Sequence, residues 1–296
     1  MILITGATGQ FGSKAIEHLL KKGIEGTRIA ALVRDESKAG KLHHHAVEVR
    51  YGDYSNQESM VQAFQGVKKL LLVSSNDKQI ENRTKHHISA LKAAKDAGVD
   101  HVVYTSFVRK AEFKDSSIAE FLQSHVETEN YLKDSGMEYT ILQNGIYLEM
   151  IPIFLGEMVK ETGTIYLPAE TGRASWVSRD DLAEVAANIL VSEGHMNKVY
   201  NLTNTESSSY SDIADELSKV LHQKIRYISP MVDEYQNTLS NLQVPEIYVH
   251  MLSMWSQALA EGMMDKEDVL LEELLGRRPL DTATFLHKVY GQQAGR

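Results

Sequence analysis

The stretch Met1-Ile2-Leu3-Ile4-Thr5-Gly6-Ala7-Thr8-Gly9-Gln10-Phe11-Gly12 decides the fold. A short apolar run ends in three glycines at three-residue spacing, and a helical pattern begins at once, from Phe11 to about Lys22. Strand, glycine turn and helix N-terminus in that order make a pyrophosphate site. The glycines let main-chain N–H groups approach phosphate oxygens, and the helix dipole adds favourable potential. Gly6, Gly9 and Gly12 are therefore candidate dinucleotide-binding residues. The competing reading is a tight strand–helix turn in which glycine serves packing alone.

The rest of the first half repeats this alternation. Short runs at 28–33, 47–50, 70–74, 101–105 and 139–142 read as strands, most of them nearly continuously apolar, as in strands covered on both faces. Helical patterns lie between them at 58–64, 81–97 and 117–134, with Gly23, Gly98 and Gly136 placed as C-terminal caps. The pattern predicts an α/β protein with a doubly wound parallel sheet, a Rossmann fold, and a smaller C-terminal lobe. The second half is less regular, with a strand at 199–202 and helices at 180–191, 211–221, 244–262 and 281–290. The expected division is a dinucleotide-binding domain at 1–145 and a mainly substrate-binding lobe at 146–296, some of whose elements return to the main sheet.

Composition narrows the class. A net charge of −9 with no basic run disfavours a reader of phosphate backbones, so no nucleic-acid partner is expected. With no cysteine, disulfides, thiolate catalysis and Cys-based zinc sites are excluded. No apolar run approaches the roughly 20 residues that span a bilayer, and no leader pattern precedes the first strand. The expectation is a cytoplasmic protein without a membrane partner. His43-His44-His45 and the helical pair His86-His87 converge poorly on one ion, so no metal site is expected.

Several residues fall where a sheet of this kind binds ligands, beyond the carboxyl ends of its strands. Arg34 follows the second strand, with Lys38 about one helical turn later, and basic residues there suit a 2′-phosphate. Asp35 and Glu36 intervene, and either could turn to the ribose instead. Asp53 after the third strand could accept from an adenine amino group, or close an Asx turn. Ser74 and Ser75 end the fourth strand, where small residues let a ribose lie close, or where they cap a turn. Thr105 and Ser106 end the fifth. On the helix that follows, His125 is placed to donate to ribose hydroxyls or to move a proton, or to be structural. Tyr147, Met150, Phe154, Trp176, Met251, Met254 and Trp255 could line an apolar pocket or simply pack the second lobe.

These motifs together resemble the NmrA-like group of atypical short-chain dehydrogenases/reductases, and within it the branch of quinone reductases and triphenylmethane reductases. The likeness rests on residues 4–12, Leu32-Val33-Arg34, residues 69–75, residues 93–99 and Val103-Tyr104-Thr105-Ser106. It continues through His125-Val126-Glu127-Thr128-Glu129, residues 139–145 and Leu275-Gly276-Arg277-Arg278-Pro279, and so spans essentially the whole chain. The resemblance implies NADP(H) as cofactor. Gly6, Thr8, Gly9, Gln10 and Phe11 would hold its pyrophosphate, Arg34 and Lys38 its 2′-phosphate, and Ser74 and Ser75 the ribose side. Asn144, Gly145 and Tyr147 would stand near nicotinamide and substrate.

The departures bear on chemistry. Classical members carry Tyr-x-x-x-Lys, whose tyrosine protonates a carbonyl oxygen as hydride arrives. Phe121 and His125 stand at the matching positions, and phenylalanine has no proton to give. Gln143 stands where the quinone reductase pattern has arginine. The leading expectation is an NADPH-dependent reductase of a quinone or similarly flat electrophile, with His125 and Tyr147 as candidate catalytic residues. The partners expected are this small molecule and, as an option left open, a second copy in a homodimer. The alternative is a non-enzymatic NADP(H)-binding redox sensor, since such sensors also lack the tyrosine. An epimerase or dehydratase is less favoured, because those reactions lean on the same missing group.

Overall fold

The computed structural model describes residues 1–35, 37, 39–43 and 46–291. In chain order, β1 (Ile2–Ile4) leads through the glycine turn into α1 (Gln10–Lys21). Then follow β2 (Ile29–Val33), α2 (Gly40–His43), β3 (Glu48–Tyr51), α3 (Gln57–Phe64), β4 (Lys69–Leu72), α4 (Ile80–Asp96), β5 (His101–Phe107), α5 (Ala119–Asp134) and β6 (Glu138–Asn144). The remainder is α6 (Ile151–Leu155), α7 (Val159–Thr162), β7 (Thr164–Tyr166), β8 (Arg173–Ala174), α8 (Arg179–Val191), β9 (Lys198–Leu202), β10 (Ser208–Ser209), α9 (Tyr210–Leu221) and β11 (Arg226–Ile228). It closes with α10 (Val232–Asn241), α11 (Glu246–Ala260), α12 (Leu270–Leu275) and α13 (Thr282–Tyr290).

Among the described residues, seven strands form one sheet in the order β3-β2-β1-β4-β5-β6-β9, every neighbouring pair parallel. The strand order reverses between β1 and β4, which leaves a crevice at the carboxyl ends of those two strands. The doubly wound parallel sheet is as expected. Alternate residues feed opposite faces of the sheet. Leu3, Leu32, Leu70, Leu72, Val102, Tyr104 and Ile141 share a core with Met60 and Phe64 of α3, Leu91 of α4 and Leu132 of α5. Full burial of a side chain of this size contributes about 1.5–3 kcal/mol. On the other side of the sheet α1 packs against α8.

Two strands run past their apolar stretches. The β5–β6 ladder continues through Ser106↔Gln143 and Phe107↔Asn144, so Ser106 and Asn144, like Thr105, lie within strands. Backbone pairing, which does not depend on side-chain polarity, extends the ladder. Conversely β4 stops at Leu72, and Val73, Ser74 and Ser75 already belong to the segment beyond it. The short helix α2 occupies part of the segment expected as a turn before β3.

The chain divides into two compact units, Met1–Phe107 with Glu120–Asn144 and Arg179–Leu202, and Val108–Ala119 with Gly145–Ser178 and Thr203–Arg296. In the second unit β7 and β11 pair in parallel, β8 and β10 pair antiparallel, α13 packs on α9, and α10 packs on α11. These two- and three-residue strands and the short helices α6, α7 and α12 carry too little periodicity to be read from sequence.

Candidate functional site

The glycine turn is built by close approach. Gly6 has a left-handed backbone (φ +58°), and a Cβ there would lie 3.3 Å from Cβ of Val73. Gly12 sits so near the turn that a Cβ would fall inside the van der Waals shell of the Gly6 carbonyl. Only glycine lets α1 start this close to β1. Gly9 precedes α1 with no side-chain cap, and its own N–H donates to the Gly6 carbonyl at 2.9 Å. The first-turn amides of Gln10, Phe11 and Gly12 have no intrahelical acceptor. Thr8, Gly9 and Gln10 are exposed, whereas the Phe11 ring is buried, so Phe11 can offer a ligand only its main chain. The arrangement is a positive, amide-lined N-terminus suited to an anion.

The crevice beside this turn is braced by a residue the sequence did not single out. Thr5 donates through N and Oγ1 to the Leu71 carbonyl, at 3.0 and 3.2 Å, and its Oγ1 accepts from Val73 N–H at 2.8 Å. The Tyr54 hydroxyl lies 2.6 Å from Thr5 Oγ1 and 2.9 Å from the Val73 carbonyl. Tyr54 therefore ties together the ends of β1 and β4, and burial holds its hydroxyl protonated by pushing its pKa up.

At the end of β2, Arg34 is exposed. Asp35 is turned back onto its own loop, where Oδ1 accepts from Ser37 N–H at 3.0 Å and Ser37 Oγ at 2.7 Å. Lys38, like Glu36, His44 and His45, lies outside the described residues. Asp53 closes an Asx turn, with Oδ1 accepting from Ser55 N–H at 2.8 Å and Ser55 Oγ at 2.6 Å. The Ser55 hydrogen bond holds its carboxyl below the usual range, with a smaller pull from the Arg34 guanidinium.

Beyond β4 the two serines differ. Ser74 is half-buried, and its N–H donates to Thr105 Oγ1 at 2.9 Å. Thr105 thus joins the β4 end to β5. Ser75 is buried, its N–H donating to Nε2 of His87 at 2.8 Å, with its Oγ 3.2 Å from Nδ1 of His86. Ser106 donates to Oε1 of Glu129 at 2.6 Å, and Nε2 of Gln143 reaches both carboxylate oxygens at 3.1 and 3.2 Å. Glu129 is fully buried, with Lys133 one turn on at 3.6 Å. Asn144 is fully buried at the end of β6, and among the described residues neither end of its carboxamide has a hydrogen-bond partner. A buried amide left unsatisfied on both sides is uncommon and points to a missing ligand or water.

His125 lies within a buried polar network. Its Nε2 is 3.2 Å from Nη2 of Arg83, and its Nδ1 is 2.8 Å from the Tyr104 hydroxyl. A guanidinium can only donate, so Nε2 accepts and the ring proton sits on Nδ1. With both nitrogens engaged, His125 in this arrangement has neither a proton nor a lone pair to offer a ribose. The ring is thus held between side chains of α4 and β5. Phe121 completes the surroundings, with its ring 5.0 Å from His125 and 4.7 Å from the Arg83 guanidinium carbon.

The residues Gly6 to Gly12, Arg34, Asp53, Ser74, Ser75, Thr105, Ser106, His125 and Asn144 all belong to the first unit, while Gly145 and Tyr147 belong to the second. Tyr147 is half-buried and bridges to Val177. Phe154 and Trp176 are buried and meet Tyr210 edge-on, which makes them core of the second unit. Met150, Met251, Met254 and Trp255 are half-buried. Sequence reasoning gave no role to Tyr54 or Arg83, weighed His87 only as a metal ligand, and quoted Tyr104, Thr128 and Glu129 only within motifs of the resemblance. Arg83 and His87 did leave a signal, since they share with Ala90, Leu91 and Ala94 the buried stripe of α4, where polar residues need partners.

Sheet order, switch point and glycine turn define a Rossmann-type protein with an anion-binding strand–helix turn. The chain belongs to the NmrA-like family, whose model matches residues 1–279. It is 33% identical over 276 residues to quinone oxidoreductase 2 of Escherichia coli (strain K12), covering 93% of this chain and 94% of that protein. It superposes on Citrobacter sp. triphenylmethane reductase complexed with NADP(H) with a TM-score of 0.90 at 34% identity, covering 99% of this chain and 100% of that one. On the Escherichia coli NADPH-dependent quinone oxidoreductase complexed with NADPH the TM-score is 0.88 at 32% identity, covering 98% and 100%.

Proposed function

We propose that the protein is an NADPH-dependent reductase that delivers hydride to a quinone or a similarly flat electrophile. The observation that carries this reading is the glycine turn at the β1–β4 switch point, with Arg34 exposed at the end of β2 while Asp35 is held on Ser37. The residues fit such a cofactor. The turn offers amides to a pyrophosphate, Arg34 offers a fork to a 2′-phosphate, and the unpartnered Asn144 carboxamide matches the donor and acceptor of a nicotinamide carboxamide. The activities named for the relatives support the same class.

When bound, the nicotinamide supplies the hydride, and this chain supplies proximity and orientation. We assign cofactor binding to the first unit and substrate recognition to the second. Phe121 has no proton to donate, and the His125 ring proton is committed to Tyr104. The reduced oxygen therefore takes its proton from water or from Tyr147. Among the described residues no helix is long and apolar enough to cross a membrane, and no group of three or more metal-ligating side chains occurs.

The absence of a donor at Phe121 also favours a second reading, a redox sensor that binds NADP(H) without turnover. One experiment separates the two. Purified protein is mixed with NADPH and a panel of benzoquinones and naphthoquinones, with cofactor binding measured in parallel. Quinone-dependent NADPH oxidation supports the reductase, whereas tight binding without consumption across the panel overturns it in favour of the sensor.

A further inference from the structure

We infer that His87 is a positioning residue, which holds the Ser74–Ser75 edge of the crevice through a fixed Nδ1–H tautomer and so sets the affinity for the dinucleotide. The inference rests on the cofactor reading above. Ser74 and Ser75 follow β4, which borders the switch point directly across from the glycine turn. The Ser75 amide donates to Nε2 of His87 at 2.8 Å. A main-chain N–H can only donate, so Nε2 carries no proton, and in the neutral ring the proton must sit on Nδ1.

The partner on the other side agrees. Nδ1 of His87 is 2.9 Å from Thr128 Oγ1, and Thr128 donates its own proton to the Ser124 carbonyl at 2.7 Å. Its oxygen is left to accept, so the bond runs from Nδ1–H to Thr128. The Ser75 N–H at one end and the Ser124 carbonyl at the other have one role each and fix the direction, while the Tyr104 hydroxyl, 3.2 Å from the same Nδ1, is a second acceptor for this proton. His87 is fully buried, and its ring meets Tyr104 at 5.4 Å and His125 at 6.0 Å between centroids. The imidazole, on α4, thus connects the segment after β4 to α5. The Nε2 bond fixes the position of the Ser75 amide, while α5 fixes the orientation of the ring.

The test compares His87→Leu, which removes the acceptor and keeps bulk, with His87→Gln, whose carboxamide oxygen can accept in place of Nε2. NADPH binding and steady-state naphthoquinone reduction are measured for both. For His87→Leu we expect a rise of about tenfold in Kd and KM for NADPH, with kcat at saturating NADPH within about twofold of wild type, and for His87→Gln recovery of most of the affinity. A folded His87→Leu protein with unchanged affinity overturns the positioning role, as does an equal loss in both variants or a loss of kcat alone. Should His87→Leu fail to fold, nitrogen NMR of the wild-type imidazole decides. A non-titrating Nδ1–H tautomer supports the inference, and an Nε2–H tautomer or an ordinary titration overturns it. Wild-type protein that does not bind NADPH at all overturns the cofactor reading itself, which is distinguishable from normal wild-type binding with an indifferent variant.

Discussion

At the residue scale, the proposed cofactor site separates groups that would face a ligand from groups that hold others in place. Arg34 belongs to the first kind. Charge-assisted hydrogen bonds are worth about 1.5–3 kcal/mol, so Arg34→Ala should weaken NADPH by roughly tenfold or more and leave NADH within about twofold. Titration of both cofactors against the variant checks this, and equal loss for the two would remove Arg34 from the 2′-phosphate site. On the proposed reading, Asp35 accepts from Ser37 rather than from a ribose hydroxyl, so an acidic neighbour would not reverse that preference. His125 belongs to the second kind. Its position on a helix was legible in the sequence, but its partners were not, because Arg83 and Tyr104 lie 42 and 21 residues away in the chain.

At the element scale, local chemistry accounts for most boundaries in the first half. Gly23, Gly98 and Gly136 all take positive φ just beyond α1, α4 and α5, as their placement after helical patterns predicted. The second unit depends more on caps and pairings. Ser209 accepts from Asp212 N–H at 3.2 Å, while Oδ2 of Asp212 accepts from Ser209 N–H at 2.8 Å, a reciprocal cap at the start of α9. Asp212 also meets Arg173 at 3.0 Å. Ser209→Ala should cost about 1 kcal/mol of stability, visible as a lower urea midpoint. No shift in that midpoint would show that Arg173 and the helix interior hold the α9 start without the cap. The β5–β6 ladder shows the opposite limit, since its last pairs involve Ser106, Gln143 and Asn144, which no apolar pattern marks as strand.

At the scale of the whole molecule, buried histidines couple folding to pH. His101 at the start of β5 is buried and lies 2.8 Å from Thr140 Oγ1, and burial, then Lys69 and His195, lower its pKa to about 4. Burial, then Arg83 and His86, lower that of His87 to about 3. Both groups stay neutral in the folded chain. An unfolded histidine titrates near 6.5, so from there down to about 4 the unfolded state binds protons that the folded state refuses. Stability from these groups is complete above about 6.5 and falls as the pH drops through this window. Urea midpoints should fall between about pH 7 and pH 5, with a shallower fall in His101→Gln. Midpoints that stay level or rise over that range would contradict the assignment of neutral buried rings.

By itself the sequence determined the alternation of strands and helices, the glycine turn and the basic residue after β2. Each of these rests on local rules: apolar period, backbone freedom at glycine, and position along one strand. The tertiary structure alone decided which residues meet. Ser75, His87, Tyr104, His125 and Thr128 form one network because the β4 end, α4, β5 and α5 converge on one face of the sheet. Hydrogen-bond direction then depends on partners tens of residues apart. No local pattern encodes which imidazole nitrogen carries the proton, and that choice is what separates a group poised to react from one that holds the site in shape.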